Sequence, residues 1–233
     1  MNRGVQPINL TLFDLDGTLI EIDTDHAFGE FMVNIGWADA DVFRHRNDAF
    51  YEDYQAARLD VAAYLDFATA PWRDRPAAEA LAARERYMRE VIEPLLRDSA
   101  RQLVRRHQDS GDTTAIVTAT NEFITRPIAD ALGVGKLIAL ELARDDNDRV
   151  TGAVRGVPSF REGKVVRVEQ WLAGQGLRHA DFARITVYGD STNDVPLLEW
   201  ATHPVATNPS AALATVARER GWPILKLFEE QEP

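Results

Sequence analysis

The stretch LTLFDLDGTLI, residues 10–20, joins a run of apolar and β-branched residues directly to two carboxylates, Asp14 and Asp16. The apolar run is typical of a strand that is buried in a sheet, and Gly17 and Thr18 mark its end. A carboxylate at the mouth of a buried strand is costly unless a metal ion or a hydrogen-bond network stabilises it. We therefore predict that this strand end is part of a functional site.

Short apolar strands alternate with amphipathic helices over most of the chain that follows. Strands are predicted at about 8–14 and at TTAIVT, ARITVYGD, HPVAT and PILKL, and several of the helices between them end at glycine. Residues 136–154, KLIALELARDDNDRVTGAV, are predicted to form one hairpin whose turn is DDND. Strands separated by helices pair in parallel through right-handed crossovers. The predicted fold class is therefore α/β, a parallel sheet sandwiched by helices.

The pattern is helical throughout between residues 22 and 95. Apolar and aromatic residues recur there at steps of three and four, as they do on helices that share a core. Four aromatic residues are predicted to belong to that core rather than to a ligand-binding group: Phe43, Phe50, Tyr51 and Tyr54. We predict two units, a sheet domain formed by residues 1–21 and 96–233 and a small helical bundle formed by residues 22–95.

Charge and composition exclude several functions. The 233-residue chain has a formal net charge of −11, so its surface repels nucleic-acid phosphates and anionic lipids. It contains no cysteine, which excludes disulfides and thiolate metal sites. The first residues lack the apolar run of a signal peptide, and no apolar stretch reaches the roughly 18 residues of a membrane span. We therefore expect a soluble cytoplasmic protein without nucleic-acid or membrane partners, and composition leaves its oligomeric state open.

Polar residues follow three of the predicted strands, and ligands of such sheets bind beyond the carboxyl ends of the strands. The first strand ends in Asp14 and Asp16, the second in TATN at residues 118–121, and the third in GDSTND at residues 189–194. We expect these ends to meet in one crevice, where four carboxylates converge: Asp14, Asp16, Asp190 and Asp194. Acids so close together repel one another without a cation, and an all-oxygen ligand set favours Mg²⁺.

The spacing of Asp14 and Asp16 suits phosphoryl transfer. Alternate side chains of an extended chain share a face, so both carboxylates can point the same way while Leu15 packs inward. One carboxylate then attacks phosphorus to give an aspartyl phosphate, and its neighbour handles protons. The reaction further needs positioning and neutralised charge, which Mg²⁺, a lysine and a hydroxyl supply.

The order of the polar motifs matches a known superfamily. DLDGT at a strand end, a second strand ending in threonine, a later lysine and GDSTND resemble the four motifs of haloacid dehalogenase-like (HAD) hydrolases, over most of residues 8–225. The helical stretch resembles the small cap of the phosphoserine phosphatase-like branch, and segments such as VTATNEFITRPIA and EGKVVRV are similar to its subfamily IB. The resemblance implies a Rossmann-like sheet with an inserted α-helical cap domain at residues 22–95. It also implies a phosphatase for a small phosphomonoester such as phosphoserine or histidinol phosphate.

The resemblance assigns roles to residues at the first two strand ends. It implies that Asp14 is the nucleophile and a metal ligand. Asp16 is implied as the general acid and base, and as a metal-site residue through its backbone carbonyl. Thr118 is implied to hold the phosphoryl oxygens with the help of Asn121, and Lys164 to neutralise the nucleophile and the phosphate.

The third strand end and the neighbouring residues receive roles in the same way. Asp190 is implied as a Mg²⁺ ligand, Asp194 as the acid that supports it, and Asn193 as a contact to phosphate or substrate. Arg161 lies close to Lys164 in sequence and carries the same charge. For His26, which follows Asp25 just beyond the first motif, a substrate contact and a surface or interdomain position are both open.

Two alternatives to hydrolysis also stay open. The same aspartyl phosphate can be passed to an alcohol, which gives a phosphotransferase, and nothing in the motifs separates this reaction from hydrolysis. A non-catalytic phosphate-binding regulatory module is the other alternative, and the presence of both Asp14 and Asp16 argues against it. Four arginines either bind a substrate carboxylate or, as we favour, are solvated helix charges: Arg44, Arg46, Arg73 and Arg75.

Overall fold

The computed structural model describes residues 8–229, which form a six-stranded parallel sheet and a two-stranded antiparallel hairpin. The strands in chain order are β1 (Ile8–Phe13), β2 (Thr113–Asn121), β3 (Lys136–Leu140), β4 (Leu142–Arg144), β5 (Val150–Val154), β6 (Phe182–Gly189), β7 (His203–Thr207) and β8 (Ile224–Leu225). The sheet has the order β3-β2-β1-β6-β7-β8, and its pairings are all parallel. The predicted α/β class with a Rossmann-like parallel sheet is confirmed.

Helices separate most of these strands. They are α1 (Thr24–Asn34), α2 (Ala40–Gln55), α3 (Val61–Thr69), α4 (Ala77–Tyr87), α5 (Asp98–Asp109), α6 (Glu122–Ala131), α7 (Glu162–Ala173), α8 (Val195–Trp200) and α9 (Ala211–Arg220). A π-helical turn, Met88–Ile92, continues α4. Within residues 8–229, none of the helices has the length and the apolar character that crossing a membrane requires.

The strand β1 is mostly apolar, and both faces of the sheet beside it are covered. Leu10 and Leu12 belong to one apolar cluster together with Val168 of α7. Phe13 belongs to a second cluster, in which its ring stacks on that of Tyr188 with 5.1 Å between the ring centroids. The two polar residues of β1, Asn9 and Thr11, both donate to the carboxylate of Asp112 and are thus satisfied within the fold. The first polar side chain beyond the strand, that of Asp14, lies at the edge of the sheet.

The helices α1 to α4 lie between β1 and α5, in the segment predicted to be an inserted cap. The helices α1, α2 and α3 each begin after an aspartate whose side chain accepts backbone N–H groups of the first turn: Asp23, Asp39 and Asp60. Such caps satisfy donors that would otherwise lack a partner. Phe43 packs with Val33 and Phe67 inside this segment. Residues 22–95 are called the cap below, and their division from the sheet domain stays a prediction.

The prediction of a single hairpin over residues 136–154 is wrong in its first half. Residues 136–140 form β3, which pairs in parallel with β2 at the edge of the main sheet. Only β4 and β5 form a hairpin, and its turn lies at the predicted DDND, where the Asp145 side chain accepts the N–H groups of Asn147 and Arg149. The run KLIAL ends in three buried residues, so it gains more from a place in the parallel sheet than from a two-stranded hairpin.

Candidate active site

The sheet order brings the three predicted strand ends together. β1 lies between β2 and β6, so the residues that follow β1 are flanked by the carboxyl ends of both neighbours. The backbone N–H of Asp14 still donates to the carbonyl of Tyr188 in β6, at 2.9 Å. The first side chains beyond the ladder therefore point into a crevice at this edge, where sheets of this type hold their ligands.

Lys164 is the buried cation of the crevice. Its Nζ donates to Oδ1 of Asp14 and to Oδ1 of Asp194, both at 2.6 Å, and its side chain is fully buried. Burial lowers the pKa of Lys164, but the two carboxylates outweigh it and hold the pKa above its ordinary value. Lys164 is therefore charged at neutral pH. Arg161 does not contact these carboxylates; its Nη1 donates to the carbonyl of Ala57 in the cap.

Asp14 is buried and has one oxygen without a hydrogen-bond partner among the described residues. Lys164 occupies Oδ1, whereas Oδ2 is buried and unpartnered. Burial and, next in size, the charge of Asp194 raise the pKa of Asp14 to about 8, and Lys164 limits the rise. A ligand that brings positive charge to Oδ2 favours the ionised carboxylate.

Asp16 faces a different set of partners from Asp14. Its Oδ1 accepts the backbone N–H of Thr24 at 2.8 Å, and its Oδ2 accepts the hydroxyl of Thr120 at 2.8 Å. Burial raises the pKa of Asp16 above its ordinary value, although the hydrogen bonds from Thr24 and Thr120 oppose the rise. A carboxyl group that is held in place and has a raised pKa suits proton transfer at neutral pH. Thr120 was not among the predicted site residues.

Three of the four predicted metal-site carboxylates form one group. Asp14, Asp190 and Asp194 each offer a carboxylate oxygen, and these oxygens lie within 4.8 Å of one another. The carboxylate of Asp16 is not in this group, so its predicted contribution through the backbone carbonyl stays a prediction. Burial and the charge of Asp14 raise the pKa of Asp190 well above its ordinary value. A set of oxygens with excess negative charge and the unpartnered Oδ2 of Asp14 fits Mg²⁺.

Gly17 is required by the close approach of Asp190. Its φ is +73°, in the left-handed region, and a Cβ at this position would lie 2.3 Å from Oδ2 of Asp190. The glycine of DLDGT therefore lets the carboxylate of the third strand end reach the crevice.

Asp194 supports the loop after β6. Its Oδ2 accepts the backbone N–H groups of Asp190 and Ser191, both at 3.3 Å, while Oδ1 accepts Lys164. Asn193, predicted to contact phosphate or substrate, donates from Nδ2 to the carbonyl of Tyr54 in the cap at 2.9 Å. Its Oδ1 is buried without a partner among residues 8–229. Its predicted ligand contact stays a prediction.

The residues at the end of β2 are buried and ordered by local hydrogen bonds. Oγ1 of Thr118 accepts the backbone N–H of Thr120 at 3.1 Å, so its own proton remains available to a phosphoryl oxygen. Asn121 caps α6 by accepting the N–H of Ile124, and its Nδ2 lies 3.4 Å from Oδ1 of Asp25. Asn121 thus links the strand end to the cap, and its phosphate contact stays a prediction.

A small cavity of about 30 Å³ lies between the cap and the end of β2. This cavity, the cap pocket, is lined by Asp23 and Asp25, by Thr120 and by aromatic residues that include Phe50, Tyr51, Tyr54 and Tyr64. Phe50, predicted as cap core, packs against the cluster of Val33, Phe43 and Phe67 and also borders this cavity. Tyr51 and Tyr54, predicted as cap core as well, line the cavity. His26 also lines the pocket, but its Nε2 is 2.8 Å from Oδ1 of the exposed Asp48.

The cap pocket is acidic. Burial and the charge of Asp23 raise the pKa of Asp25 to about 8, and burial and the charge of Asp16 raise the pKa of Asp23 to about 7. Among the described residues that line it, none is a lysine or an arginine. A second opening of about 530 Å³ shares Asp23, Tyr51 and Tyr54 with the pocket and reaches Asp16 and Asp190. The pocket therefore adjoins the opening that reaches these two acids.

Comparisons with known proteins agree with this geometry. The family model of the haloacid dehalogenase-like hydrolases matches residues 11–199. A histidinol-phosphatase of Neisseria meningitidis serogroup C is 40% identical over 217 residues, which span 93% of this chain and 98% of that protein. A phosphoserine phosphatase of Mycobacterium tuberculosis is 33% identical over 230 residues, which span 94% of this chain and 71% of that protein.

A solved structure is similar over nearly the whole length. A protein with unknown function from Bordetella pertussis Tohama I superposes with a TM-score of 0.89 and 46% identity, covering 95% of this chain and 100% of that one. The chain belongs to the haloacid dehalogenase-like hydrolase family. Within that family it is a phosphatase of the phosphoserine phosphatase-like branch.

Proposed function

We propose that the chain is a Mg²⁺-dependent phosphatase that hydrolyses a small phosphomonoester through a phosphate ester of Asp14. The observation that carries the proposal is the buried contact of Lys164 with Asp14 and Asp194, beside the separately held carboxyl group of Asp16. One carboxylate thus lies next to fixed positive charge, and the other is held apart from it by its own hydrogen bonds, which supports a role in proton transfer. When bound by Asp14 and Asp190, Mg²⁺ would neutralise charge on the phosphoryl oxygens.

The proposed reaction has two steps. Asp14 attacks phosphorus, the bond from phosphorus to the ester oxygen breaks, and the proton of Asp16 passes to the departing alkoxide. Asp16 then takes a proton from a water molecule that attacks the phosphorus of the aspartyl phosphate, which releases inorganic phosphate and restores Asp14. Throughout, Lys164 and the hydroxyl of Thr118 stabilise negative charge that the reaction moves.

The cap pocket supports an amine as the group that the substrate presents away from its phosphate. The half-buried Asp23 and the buried Asp25 both have raised pKa values, so they gain stabilisation from a cationic partner. The pocket offers aromatic faces, which also attract cations. It offers no lysine or arginine for a carboxylate among the described residues.

The arginines that were considered for a substrate carboxylate have other partners. Arg44 pairs with Glu30 at 2.8 Å, and Arg73 pairs with Asp66 at 2.6 Å. Arg46 lies over the ring of Phe67, and Arg75 lies over the ring of Trp37. These contacts favour an amine-bearing ester without a carboxylate, such as histidinol phosphate, over phosphoserine, and the Neisseria relative is a histidinol-phosphatase.

Phosphate release is expected to depend on Mg²⁺ and to be fastest with histidinol phosphate. The measurement is phosphate release from histidinol phosphate, phosphoserine, sugar phosphates, nucleotides and an aryl phosphate, with Mg²⁺ and with EDTA. EDTA removes Mg²⁺, and with it the positive charge that offsets the three carboxylates and the phosphate. Activity should therefore fall by about a hundredfold or more. Equal activity in EDTA would contradict the metal requirement. Transfer of phosphate to an added alcohol rather than to water would favour the phosphotransferase.

Changing Asp25 to asparagine is expected to weaken the use of an amine-bearing substrate selectively. Losing one charged partner of an ammonium group should lower kcat/KM for histidinol phosphate by about 10- to 100-fold. An aryl phosphate without an amine should be affected by less than about threefold. Asp53→Asn, which removes an exposed carboxylate paired with Arg58, is the matched control. Equal losses for both substrates would argue against amine recognition.

Asp25→Asn is also expected to change the stability of the protein. The pKa of Asp25 is higher in the folded protein than in the unfolded chain, so its contribution to stability is lost as the pH rises through about 8. The variant Asp25→Asn lacks this titration and should exceed the wild type in free energy of unfolding by about 1 kcal/mol near pH 9. Thermal unfolding measured at acidic and basic pH tests this difference.

A further inference from the structure

A second cavity lies on the other side of the β2 strand end, between the cap and the hairpin β4–β5. It has a volume of about 840 Å³ and is open to the surface. Its walls come from the segment after α3, the first turns of α4, the start of α6, the strand β3 and the turn between β4 and β5. We call it the Arg84 groove. It shares no lining residue with the cap pocket or with the opening above Asp16 and Asp190.

The Arg84 groove is basic on a chain that is strongly acidic. Six arginines and four carboxylic acids line it, whereas the whole chain has a net charge of −11. Two of these arginines, Arg84 and Arg149, have no carboxylate within ion-pair distance among residues 8–229. Glu141, one of the four acids, is already paired with Arg155 and Arg167 outside the lining. The groove therefore offers two arginines without an ion pair, beside two acids of the lining, Asp74 and Glu122, that have none either among residues 8–229.

Hydrogen-bond donors without acceptors are concentrated in the same walls. Nε1 of Trp72, Nε of Arg84 and Nε of Arg126 are buried and have no partner among the described residues. Tryptophan and arginine side chains donate hydrogen bonds and accept none. Leaving a buried donor unpaired costs free energy, so an acceptor oxygen brought within reach of these nitrogens would be stabilised.

Flat apolar surfaces adjoin these donors. The rings of Trp72 and Phe123 stack with their centroids 4.2 Å apart and their planes 12° apart. Cζ of Arg84 lies 4.9 Å from the centroid of the Phe123 ring. Leu137 and Val150 add aliphatic surface from β3 and β5. A volume of this size, with apolar walls and a few polar groups, is typical of sites for small molecules.

We propose that the Arg84 groove binds a small organic anion that has a flat apolar body, its carboxylate or phosphate taken up by Arg84, Arg149 and the indole N–H of Trp72. The body of the ligand packs against the apolar wall. The proposal is independent of the reaction at Asp14, because the two sites have no lining residue in common.

Such a ligand joins the cap to the sheet domain. Arg84 lies on α4 of the cap, and its Nη1 donates to the carbonyl of Phe123 at the start of α6. Phe123 follows Asn121, the residue that caps α6 and approaches Asp25 in the cap pocket. Occupation of the Arg84 groove therefore stabilises one arrangement of cap and sheet.

The test is a titration of the intact protein with 2-naphthoate, followed by the ¹⁵N–¹H resonance of the Trp72 indole. The resonance is assigned from its loss in Trp72→Phe. We expect a saturable shift with a dissociation constant of about 1 mM or tighter, and the uncharged 2-naphthamide should bind at least about tenfold more weakly. A shift that does not saturate, or equal binding of naphthoate and naphthamide, would overturn the proposal.

Variants locate the binding. Arg84→Ala and Arg149→Glu should each weaken binding of 2-naphthoate by about tenfold or more. Arg149 lies in an exposed turn, so Arg149→Glu tests the groove even if Arg84→Ala folds poorly. Arg86→Ala, which removes an exposed arginine of α4 outside the groove, is the control and should bind as the wild type does. Unchanged affinity in Arg149→Glu, or an equal loss in Arg86→Ala, would show that the anion does not bind here.

Discussion

Replacing Asp14 by asparagine is expected to abolish phosphate release while the fold stays intact. The amide keeps the shape of the side chain and an oxygen that can accept from Lys164, but it is not a nucleophile. Losing the nucleophile should lower kcat by about 10⁴-fold or more. The variant should be at least as stable as the wild type in EDTA, because ionised Asp14 is buried beside Asp194 and its pKa is raised to about 8.

Steady-state phosphate release and thermal unfolding measure the two halves of this prediction. A third measurement is covalent labelling: acid-quenched wild-type protein incubated with a ³²P-labelled ester should carry phosphate, and Asp14→Asn should carry none. Asp53→Asn again serves as the control, because it changes an exposed acid of the cap by the same chemistry. Substantial turnover by folded Asp14→Asn in Mg²⁺ would remove Asp14 as the nucleophile.

Replacing Lys164 by methionine should have the second large effect, on activity and stability together. Lys164 is fully buried between Asp14 and Asp194, so its removal leaves two buried carboxylates without their cation. Removing one partner of a buried ion pair typically costs about 3–5 kcal/mol. The loss of a charge next to the reacting phosphate should lower kcat by about 10²- to 10³-fold as well.

The stability loss in Lys164→Met should depend on pH in a defined direction. Lys164 lowers the pKa of Asp14, so without it this pKa rises further above that of the unfolded chain. A group whose pKa is higher in the folded state loses its stabilising contribution as the pH rises. The deficit relative to the wild type should therefore be constant below about pH 7 and grow as the pH rises through about 8, the pKa of Asp14 in the wild type, as measured by denaturant unfolding in EDTA.

Lys226→Met provides the comparison for Lys164→Met. Its amino group is exposed and, within residues 8–229, forms its ion pair with the surface carboxylate of Glu229, so its loss should change stability by less than about 0.5 kcal/mol. If Lys164→Met unfolded like Lys226→Met at pH 8, the account of Lys164 as the cation that balances Asp14 and Asp194 would be wrong.

The sequence predicted the strand ends well because burial leaves a clear pattern. Strands covered on both faces are rich in apolar residues, so the carboxylates that follow β1 and β6 stand out in the sequence. The order of the sheet then brings Asp14 and Asp190 to neighbouring strand ends. Lys164 was found through the resemblance rather than through its pattern, because a buried lysine on a helix looks like an exposed one in a single sequence.

The cap pocket and the hairpin were not predicted because they depend on which surfaces meet. Aromatic residues at helical spacing indicate a buried face, but the spacing does not distinguish packing against a helix from packing against a cavity. Tyr51 and Tyr54 were for this reason assigned to the cap core. Residues 136–140 are apolar enough for either a hairpin or a sheet edge, and only pairing with β2 decides between them. In the sequence, Thr120 looks like Thr118. The fold distinguishes it by bringing its hydroxyl to the carboxylate of Asp16.

The contacts of Lys164 also have a consequence for how the protein folds. Lys164 lies 150 residues from Asp14 and 30 residues from Asp194 in the chain. Contacts between distant residues form only after long loops have closed, so they come late in folding and accompany completion of the sheet. An unfinished or newly synthesised chain that lacks α7 or β6 therefore has Asp14 without the lysine that prepares it. Catalytic competence should appear together with native stability, in a single cooperative step, rather than build up gradually as the helices of the cap form.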